Sequence, residues 1–224
     1  PAQPVDVQIF YYRGNGNGYT NTNFWLRSGI GIMKFVSPDD TAVGKINDRI
    51  TKKTEPAIRY AEILLIYAEA LNELEDGSTY NISSWDGSTS YSIKRDINEM
   101  KKGIRPIRCR AGVPDYDLTT VYGNKDEFRK KLKRERQIEL MGEGHRYFDL
   151  RRWKDAPVEE AMKVYGCNTL MTDSEDQKVL FHSPVVINDL PSTFSRKLYF
   201  WPISHDELKR NNLLTQNPGW TYND

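Results

Sequence analysis

Apolar positions recur at helical spacing between residues 57 and 74, and this pattern predicts the first long helix of the chain. Pro56 suits the start of that helix, and the Asp76-Gly77 pair marks its end. The apolar side chains form stripes on two sides, so the helix is predicted to lie between other helices. The first stripe contains Ala61, Leu64, Leu65, Ala68 and Leu71, and the second contains Ile63, Ile66, Tyr67, Ala70 and Leu74.

Further helices follow from the same periodicity. Within the second helix, Gly103 and Pro106 are expected to cause a break or a kink, because proline lacks the N–H that an interior position donates. The third helix begins at Asn124, whose side chain can cap a first turn. These helices are predicted over about 93–110, 124–141 and 145–153, and a last short helix follows Ser204, which forms a capping-box pattern with Glu207.

The segments between the helices are predicted to be loops. Residues 76–92 form a polar insert, and residues 155–195 contain several prolines without a clear period. Residues 198–203 are expected to form a buried extended segment, since they are mostly aromatic and aliphatic. The predicted fold class is therefore mainly α, with long irregular loops and little β structure.

Composition narrows the class of protein. The 224 residues carry a net charge of +1, which is typical of one large or two small globular domains and argues against a nucleic-acid partner. No run of about 18 apolar residues is present, so no membrane-spanning segment is predicted. Residues 129–154 alone carry a charge of +6, which indicates either a phosphate or RNA patch or a helix whose basic side chains pair with carboxylates. We favour the second interpretation.

Cysteines and histidines predict neither a disulfide framework nor a metal site. Cys109 and Cys167 show no C-x-x-C spacing, and free thiols are favoured over a bridge. The three histidines, His145, His182 and His205, are scattered along the chain. No cofactor and no metal are therefore predicted.

Two glutamates of the third helix, Glu135 and Glu139, lie within about 40° of its apolar stripe. Such carboxylates could form the acid/base pair of a glycoside-acting enzyme or bind a metal, but the Glu-x-x-His pairs of carboxylate-bridged metal sites are missing. We favour ion pairing for them, as for Glu62 and Glu69, because a guanidinium offsets the cost of burying a carboxylate. The candidate partners are Arg134, Arg136, Arg146, Arg151 and Arg152. No catalytic residue is predicted.

Aromatic residues in polar loops are the candidate ligand-binding residues. Exposed rings beside short polar side chains suit stacking on a sugar, whose hydroxyls then bind amides and carboxylates. The same rings could bind a partner protein, or they could fold back and pack. Trp85 is the strongest candidate for an exposed ring, because its loop is long and otherwise polar. The full set is Tyr11, Tyr12, Tyr19, Trp25, Tyr80, Trp85 and Tyr91.

Six stretches of the chain match the motifs of one known family. Residues 134–140 read Arg-Glu-Arg-Gln-Ile-Glu-Leu, and residues 143–153 read Glu-Gly-His-Arg-Tyr-Phe-Asp-Leu-Arg-Arg-Trp. Together they resemble the most specific motif of the SusD/RagB family of Bacteroidota outer-membrane proteins. Four other stretches also resemble motifs of this family, and they occur along the chain in the same order as in the family. They are residues 59–70, 107–114, 200–203 and 214–220.

The resemblance implies a mostly helical surface lipoprotein that binds a polysaccharide or oligosaccharide and caps a SusC-like TonB-dependent transporter at the extracellular face of the outer membrane. It implies nutrient uptake without enzyme activity. The sugar contacts of this family come from variable loops, so its motifs assign no binding residue. The alternative function is a helical scaffold whose aromatic loops bind a partner protein, and a carboxylate-pair enzyme ranks third.

Family members are longer than this chain, and their N-terminal half carries the lipidated cysteine and most of the tetratricopeptide-like helices. Residues 1–224 are therefore expected to be the C-terminal portion of such a protein. Contact with the membrane is expected only through a lipid anchor outside this chain.

Overall fold

The computed structural model describes residues 11–15, 18–19, 26–37, 39–40, 50–54, 56–188 and 193–221. The chain divides into two compact units, each described below by itself. The helical unit comprises residues 52–149, and the terminal unit comprises residues 1–51 and 150–224.

Three helices frame the helical unit. α1 (Tyr60–Glu73) packs against both α2 (Ile97–Arg110) and α3 (Lys125–Glu139). A π-helix, Leu118–Tyr122, lies between α2 and α3 along the chain, and α4 (His145–Arg152) starts in this unit. The predicted third and fourth helices are thus confirmed as α3 and α4, with Asn124 capping α3. The apolar core contains the fully buried Leu65, Met100, Ile104, Tyr122 and Phe128.

Only one apolar stripe of α1 is buried among the described residues. Most of the first stripe lies in the core that α1 forms with α2 and α3. The second stripe, which includes Ile63, Ile66 and Tyr67, is largely exposed. The prediction of helices on both sides of α1 is therefore wrong for the part of the chain described here, because the helices that pack against it share one core.

α2 is continuous from Ile97 to Arg110, with Pro106 inside it. The predicted break is absent, and Gly103 has another role: a Cβ there would lie 2.5 Å from the carbonyl oxygen of Leu64 in α1. Glycine at this position lets the two helices approach closely. α2 begins later than predicted, because Ile93 belongs to a strand.

The polar insert predicted over residues 76–92 contains a β-hairpin. β1 (Thr79–Ser83) pairs antiparallel with β2 (Ser90–Lys94). The many serines of this segment suggested a loop, but the alternation of polar and apolar positions, which has the period of a strand, determines the structure. The helical unit therefore carries a two-stranded sheet beside its helices.

The terminal unit contains short elements. β3 (Val164–Gly166) pairs antiparallel with β4 (Val185–Asn188), and the amide of Cys167 donates to the carbonyl of Ser28 at 2.9 Å. The prediction of irregular structure over residues 155–195 is thus only partly right. The helices of this unit are α5 (Ala156–Glu159), α6 (Glu175–Phe181), a 3-10 helix (Arg196–Tyr199) and α7 (His205–Arg210).

Residues 198–203 do not form the buried extended segment that was predicted. Their first residues end the 3-10 helix, and Phe200 and Trp201 are exposed. The side chain of Gln216 bonds to the amide and the carbonyl of Ile203 at 2.8 and 2.9 Å, and so holds this segment beside the C-terminal turn. The predicted cap of α7 is confirmed, since the Ser204 hydroxyl accepts from the Glu207 amide.

Helix accounts for 41% of the structure and strand for 9%, which confirms a mainly α fold with little β structure. Cys109 and Cys167 are both free thiols. Within the described ranges, no helix has the length and apolar character needed to cross a membrane. In that same part of the chain, no three His, Cys, Asp or Glu side chains are grouped as metal ligands.

Candidate functional site

The hairpin of the helical unit presents one apolar and one polar face. Tyr80 lies opposite Ile93, and Ile82 lies opposite Tyr91, so these four side chains share a face. Such aromatic–aliphatic pairs stabilise an antiparallel ladder. The tyrosine rings remain accessible, with Tyr80 38% and Tyr91 57% exposed. The polar face carries Thr79, Asn81, Ser83, Ser90, Ser92 and Lys94.

Trp85 lies in the loop at the tip of the hairpin, and its side chain is 98% exposed. The backbone of this loop is closed by two hydrogen bonds: the Ser84 amide donates to the Thr89 carbonyl at 2.7 Å, and the Gly87 amide donates to the Ser84 carbonyl at 2.9 Å. Gly87 adopts a φ of +71°, which glycine reaches without strain. The most exposed aromatic ring of the hairpin therefore stands on a hydrogen-bonded turn.

The carboxylate of Asp86 organises the same turn. Its Oδ1 accepts from the Ser84 hydroxyl at 2.6 Å and from the Ser88 amide at 3.1 Å. The Ser88 hydroxyl lies 2.9 Å from both carboxylate oxygens. The hydrogen bonds from Ser84 and Ser88 lower the pKa of Asp86 to about 2. The tip therefore carries a negative charge at neutral pH.

The described tyrosines among the other predicted residues, Tyr11, Tyr12 and Tyr19, belong to the terminal unit. Tyr12 is only 8% exposed, and its ring centroid lies 4.4 Å from that of Phe181. Tyr11 and Tyr19 are half-buried, and the guanidinium of Arg13 lies 6.0 Å from the centre of the Tyr19 ring. Trp25 lies outside the described residues. The structure thus brings Tyr80, Trp85 and Tyr91 together on one hairpin, whereas Tyr12 belongs to internal packing.

The two glutamates on the apolar stripe of α3 are paired with arginines. Arg108 donates to Glu135, while Arg59 and Arg110 both donate to Glu139, with 2.8 Å between Arg59 Nη1 and Glu139 Oε1. The preference for ion pairing is therefore confirmed. The arginines found beside Glu135 and Glu139 are not the predicted ones, because they come from residues distant in sequence. For Glu62, by contrast, the predicted Arg136 does lie close, at 3.7 Å.

Basic residues of the segment 129–154 also have carboxylate partners. The side chain of Arg136 is almost completely buried, and its Nε donates to Asp149 at 2.6 Å. Its Nη2 lies 3.7 Å from Glu62, which His145 also approaches at 3.5 Å. These contacts support the interpretation that the basic side chains of this segment pair with carboxylates, and they disfavour a phosphate or RNA patch. Further pairs are Arg129–Glu73, Lys130–Glu127 and Arg151–Glu160.

Three residues of the hairpin, Ile82, Asp86 and Ile93, are absent from the predicted site residues. A signal for them is present in the sequence. Tyr-x-Ile occurs on both sides of an Asp-Gly turn, and such alternation around a turn indicates a hairpin. The two isoleucines complete the apolar face, and the aspartate holds the tip.

Known proteins resemble this chain over most of its length. A model of the SusD family matches residues 6–220. The SusD-like protein P2 of Formosa agariphila is 30% identical over 176 residues, which are 78% of this chain and 27% of that protein. The crystal structure of a SusD-like protein from Bacteroides fragilis aligns at 27% identity with a TM-score of 0.51, over 73% of this chain and 25% of that one. The chain thus spans about a quarter of the length of these relatives.

Proposed function

The chain belongs to the SusD family, and from this membership we propose that it acts as a glycan-binding component of an outer-membrane uptake system for polysaccharides or oligosaccharides. It is part of a surface lipoprotein on the extracellular face, with a lipid anchor outside this chain, and it caps a SusC-like TonB-dependent transporter. The observation that carries the binding role is the almost fully exposed Trp85 at the hairpin tip.

An exposed tryptophan is well suited to binding a sugar. The indole is large and planar, so it can cover the C–H face of a sugar ring, and its N–H can donate to a hydroxyl. Its two side-chain torsions make it less costly to immobilise than a long flexible side chain. The Trp85 ring is almost fully exposed on a hydrogen-bonded turn, so a ligand can reach it from solvent.

Polar groups for the sugar hydroxyls are close at hand. The polar face of the hairpin offers hydroxyls of serine and threonine and the amide of Asn81, all of them exposed. These groups both donate and accept hydrogen bonds, as sugar hydroxyls do. Tyr80 and Tyr91 add two further accessible rings on the other face. We therefore place the glycan on the hairpin, with Trp85 as its main contact.

A binding role without turnover agrees with the state of one α3 carboxylate, that of Glu139. General acid catalysis needs a carboxyl group with a raised pKa. Burial raises the pKa of Glu139, but the hydrogen bonds from Arg110 and Arg59 outweigh it, and the pKa lies below its usual range. Glu139 is thus suited to hold arginines and unsuited to donate a proton.

Native gel electrophoresis with polysaccharides cast into the gel tests this proposal. We expect one glycan of a plant, host and microbial panel to slow the chain, and Trp85→Ala to weaken that binding by at least about tenfold. Trp201→Ala is the matched control, because Trp201 is 73% exposed but lies in the terminal unit.

The outcomes separate clearly. Slowing that persists in Trp85→Ala would remove Trp85 from the site. Slowing by no glycan would contradict glycan binding by this chain. Capping of the transporter is a separate part of the proposal, and it requires that the full-length protein co-purify with a TonB-dependent transporter from solubilised outer membranes.

Binding of a partner protein is the second candidate function, and the apolar face of the hairpin favours it. Ile82 is half exposed beside Tyr91, and an aliphatic side chain cannot bond to sugar hydroxyls. Protein interfaces often bury such aromatic and aliphatic clusters. In this case Ile82→Ser would abolish capture of the partner, whereas it would leave glycan binding through Trp85 unchanged.

A further inference from the structure

The side chain of Asp86 adds several hydrogen bonds to the two backbone bonds that close the loop at the hairpin tip. Asp86 follows Trp85 directly, and its Oδ1 accepts from the hydroxyl of Ser84, the residue before Trp85. The same carboxylate accepts from the amide and the hydroxyl of Ser88. Asp86 therefore links the two sides of the loop. Trp85 lies between Ser84 and Asp86, whose side chains are hydrogen-bonded to each other.

A second layer of hydrogen bonds depends on the first. The hydroxyl of Ser84 donates to Asp86 and also accepts from the Thr89 amide at 3.0 Å. The orientation that allows both bonds is set by the carboxylate. Without Asp86 this hydroxyl would be free to rotate, and the hydrogen bond from the Thr89 amide to it would weaken.

We infer that Asp86 is a positioning residue for Trp85, because it holds the loop backbone that carries the indole before a glycan arrives. This inference rests on the proposed function. Holding a binding group in its bound geometry raises affinity, because less conformational freedom is lost on binding. The Trp85 ring is almost fully exposed, so the body of the unit offers it little packing. The hydrogen bonds of the loop therefore act on the position of the Trp85 backbone, from which the ring projects.

A direct contact between Asp86 and the sugar is the alternative role, and serine variants distinguish the two. If Asp86 acts through the loop, Ser84→Ala and Ser88→Ala each remove a hydrogen bond from it and should weaken glycan binding. If Asp86 touches the sugar instead, both variants should bind as the parent does. Asp86→Asn retains an oxygen for Ser84 and for the Ser88 amide, so it should keep affinity to within about threefold.

The experiment combines affinity with a measurement of loop motion in the full chain. The backbone amide signal of Trp85 is assigned in tryptophan-labelled protein as the one missing from Trp85→Phe, and its heteronuclear NOE is recorded without glycan. In Asp86→Ala we expect a lower NOE and an affinity for the retained polysaccharide reduced by about tenfold. Asp117→Ala is the matched control, because Asp117 accepts from Thr119 and Thr120 in the same way at the start of the π-helix.

Each result decides the inference. An unchanged NOE in Asp86→Ala overturns the positioning role, whatever happens to affinity. A lower NOE with full affinity overturns its link to binding, provided that Trp85→Ala does weaken binding. If Trp85→Ala binds as the parent does, the proposed function fails instead, and the NOE alone still shows whether Asp86 orders the loop.

Discussion

Arg59 donates from Nη1 to Glu139 Oε1 at 2.8 Å and from Nη2 to the Glu139 carbonyl oxygen at 2.9 Å. Arg59 is the residue before α1, and Glu139 is the last residue of α3. The guanidinium also forms two hydrogen bonds with Glu143, at 2.8 and 2.7 Å. The start of α1 is therefore attached to the end of α3, and Arg59 is extended instead of helical, which explains why α1 starts later than predicted.

Glu139→Gln is expected to destabilise the chain by about 2 kcal/mol at neutral pH. The substitution weakens hydrogen bonds from two arginines and removes one carboxylate charge beside them. Arg59 keeps Glu143 as a counterion, and partial exposure keeps the loss below that of a fully buried pair. Urea unfolding measures it. Arg134→Gln is the control, since Arg134 is exposed on the same helix and should change stability by no more than about 0.5 kcal/mol. Equal stability of the Glu139 variant and the parent would contradict the role of this pair.

The acid limb of the stability curve offers a second test of Glu139. Its pKa is lowered on folding, so its contribution to stability is complete above the ordinary glutamate pKa, near about 4.3, and disappears as the pH falls through the lowered value. Below about pH 4 the free energy of unfolding of the parent should therefore fall towards that of Glu139→Gln. Curves that stay parallel down to the pH of acid unfolding would rule this out.

Alkaline pH should destabilise the helical unit through Tyr122. The ring is buried, and burial together with the hydrogen bond to Asp115 raises the pKa of Tyr122 above its usual range. The contribution of a raised pKa to the free energy of unfolding is complete below the ordinary tyrosine pKa, about 10. It is lost as the pH rises above that value. Tyr122→Phe should be less stable at pH 7 by about 1 kcal/mol, yet it should lose less stability above pH 10. The exposed Tyr91→Phe serves as the control, and identical alkaline slopes in all three proteins would refute the prediction.

Gly103→Ala is expected to lower stability by about 2 kcal/mol, although alanine is the better helix former. The added Cβ would lie 2.5 Å from the Leu64 carbonyl oxygen and 2.8 Å from Ala68 Cβ, so α1 and α2 would have to move apart. Arg105→Ala, on the exposed side of the same helix, should be nearly neutral. A variant at Gly103 that is more stable than the parent would show that the two helices can separate at little cost.

Pro106→Ala should instead stabilise the chain by about 2 kcal/mol. Alanine restores the amide that an interior helical residue donates to the carbonyl four residues earlier, here Lys102, and it removes the clash of the proline ring with that carbonyl. Without proline the unfolded chain has more conformational entropy to lose on folding, and this offsets part of the gain. The midpoint of urea unfolding measures the result. A lower midpoint would mean that contacts of α2 depend on the shape that proline gives it.

The helices that could be predicted were those whose signals are local. α3 and α4 lie close to their predicted bounds because the cap, the apolar period and the stop occur within the same short stretch. The hairpin was not predicted because the serine-rich composition of residues 76–92 indicated a loop, whereas the alternation of polar and apolar residues that indicates strands is short. Among the candidate residues, Trp85 is exposed as expected, but Tyr12 is buried against Phe181, which is far away in the chain.

Local patterns of the sequence are enough to assign the family, the mainly α fold, the caps of α3 and α7, and the aromatic residues around Trp85, since motifs, periodicity and capping are properties of neighbouring residues. Three features emerge only from the folded chain: which side of α1 is buried, which arginines contact Glu135 and Glu139, and which aromatic rings face solvent. These features depend on contacts between distant residues. The free energies of such contacts are set by burial and by charge partners that no local pattern specifies.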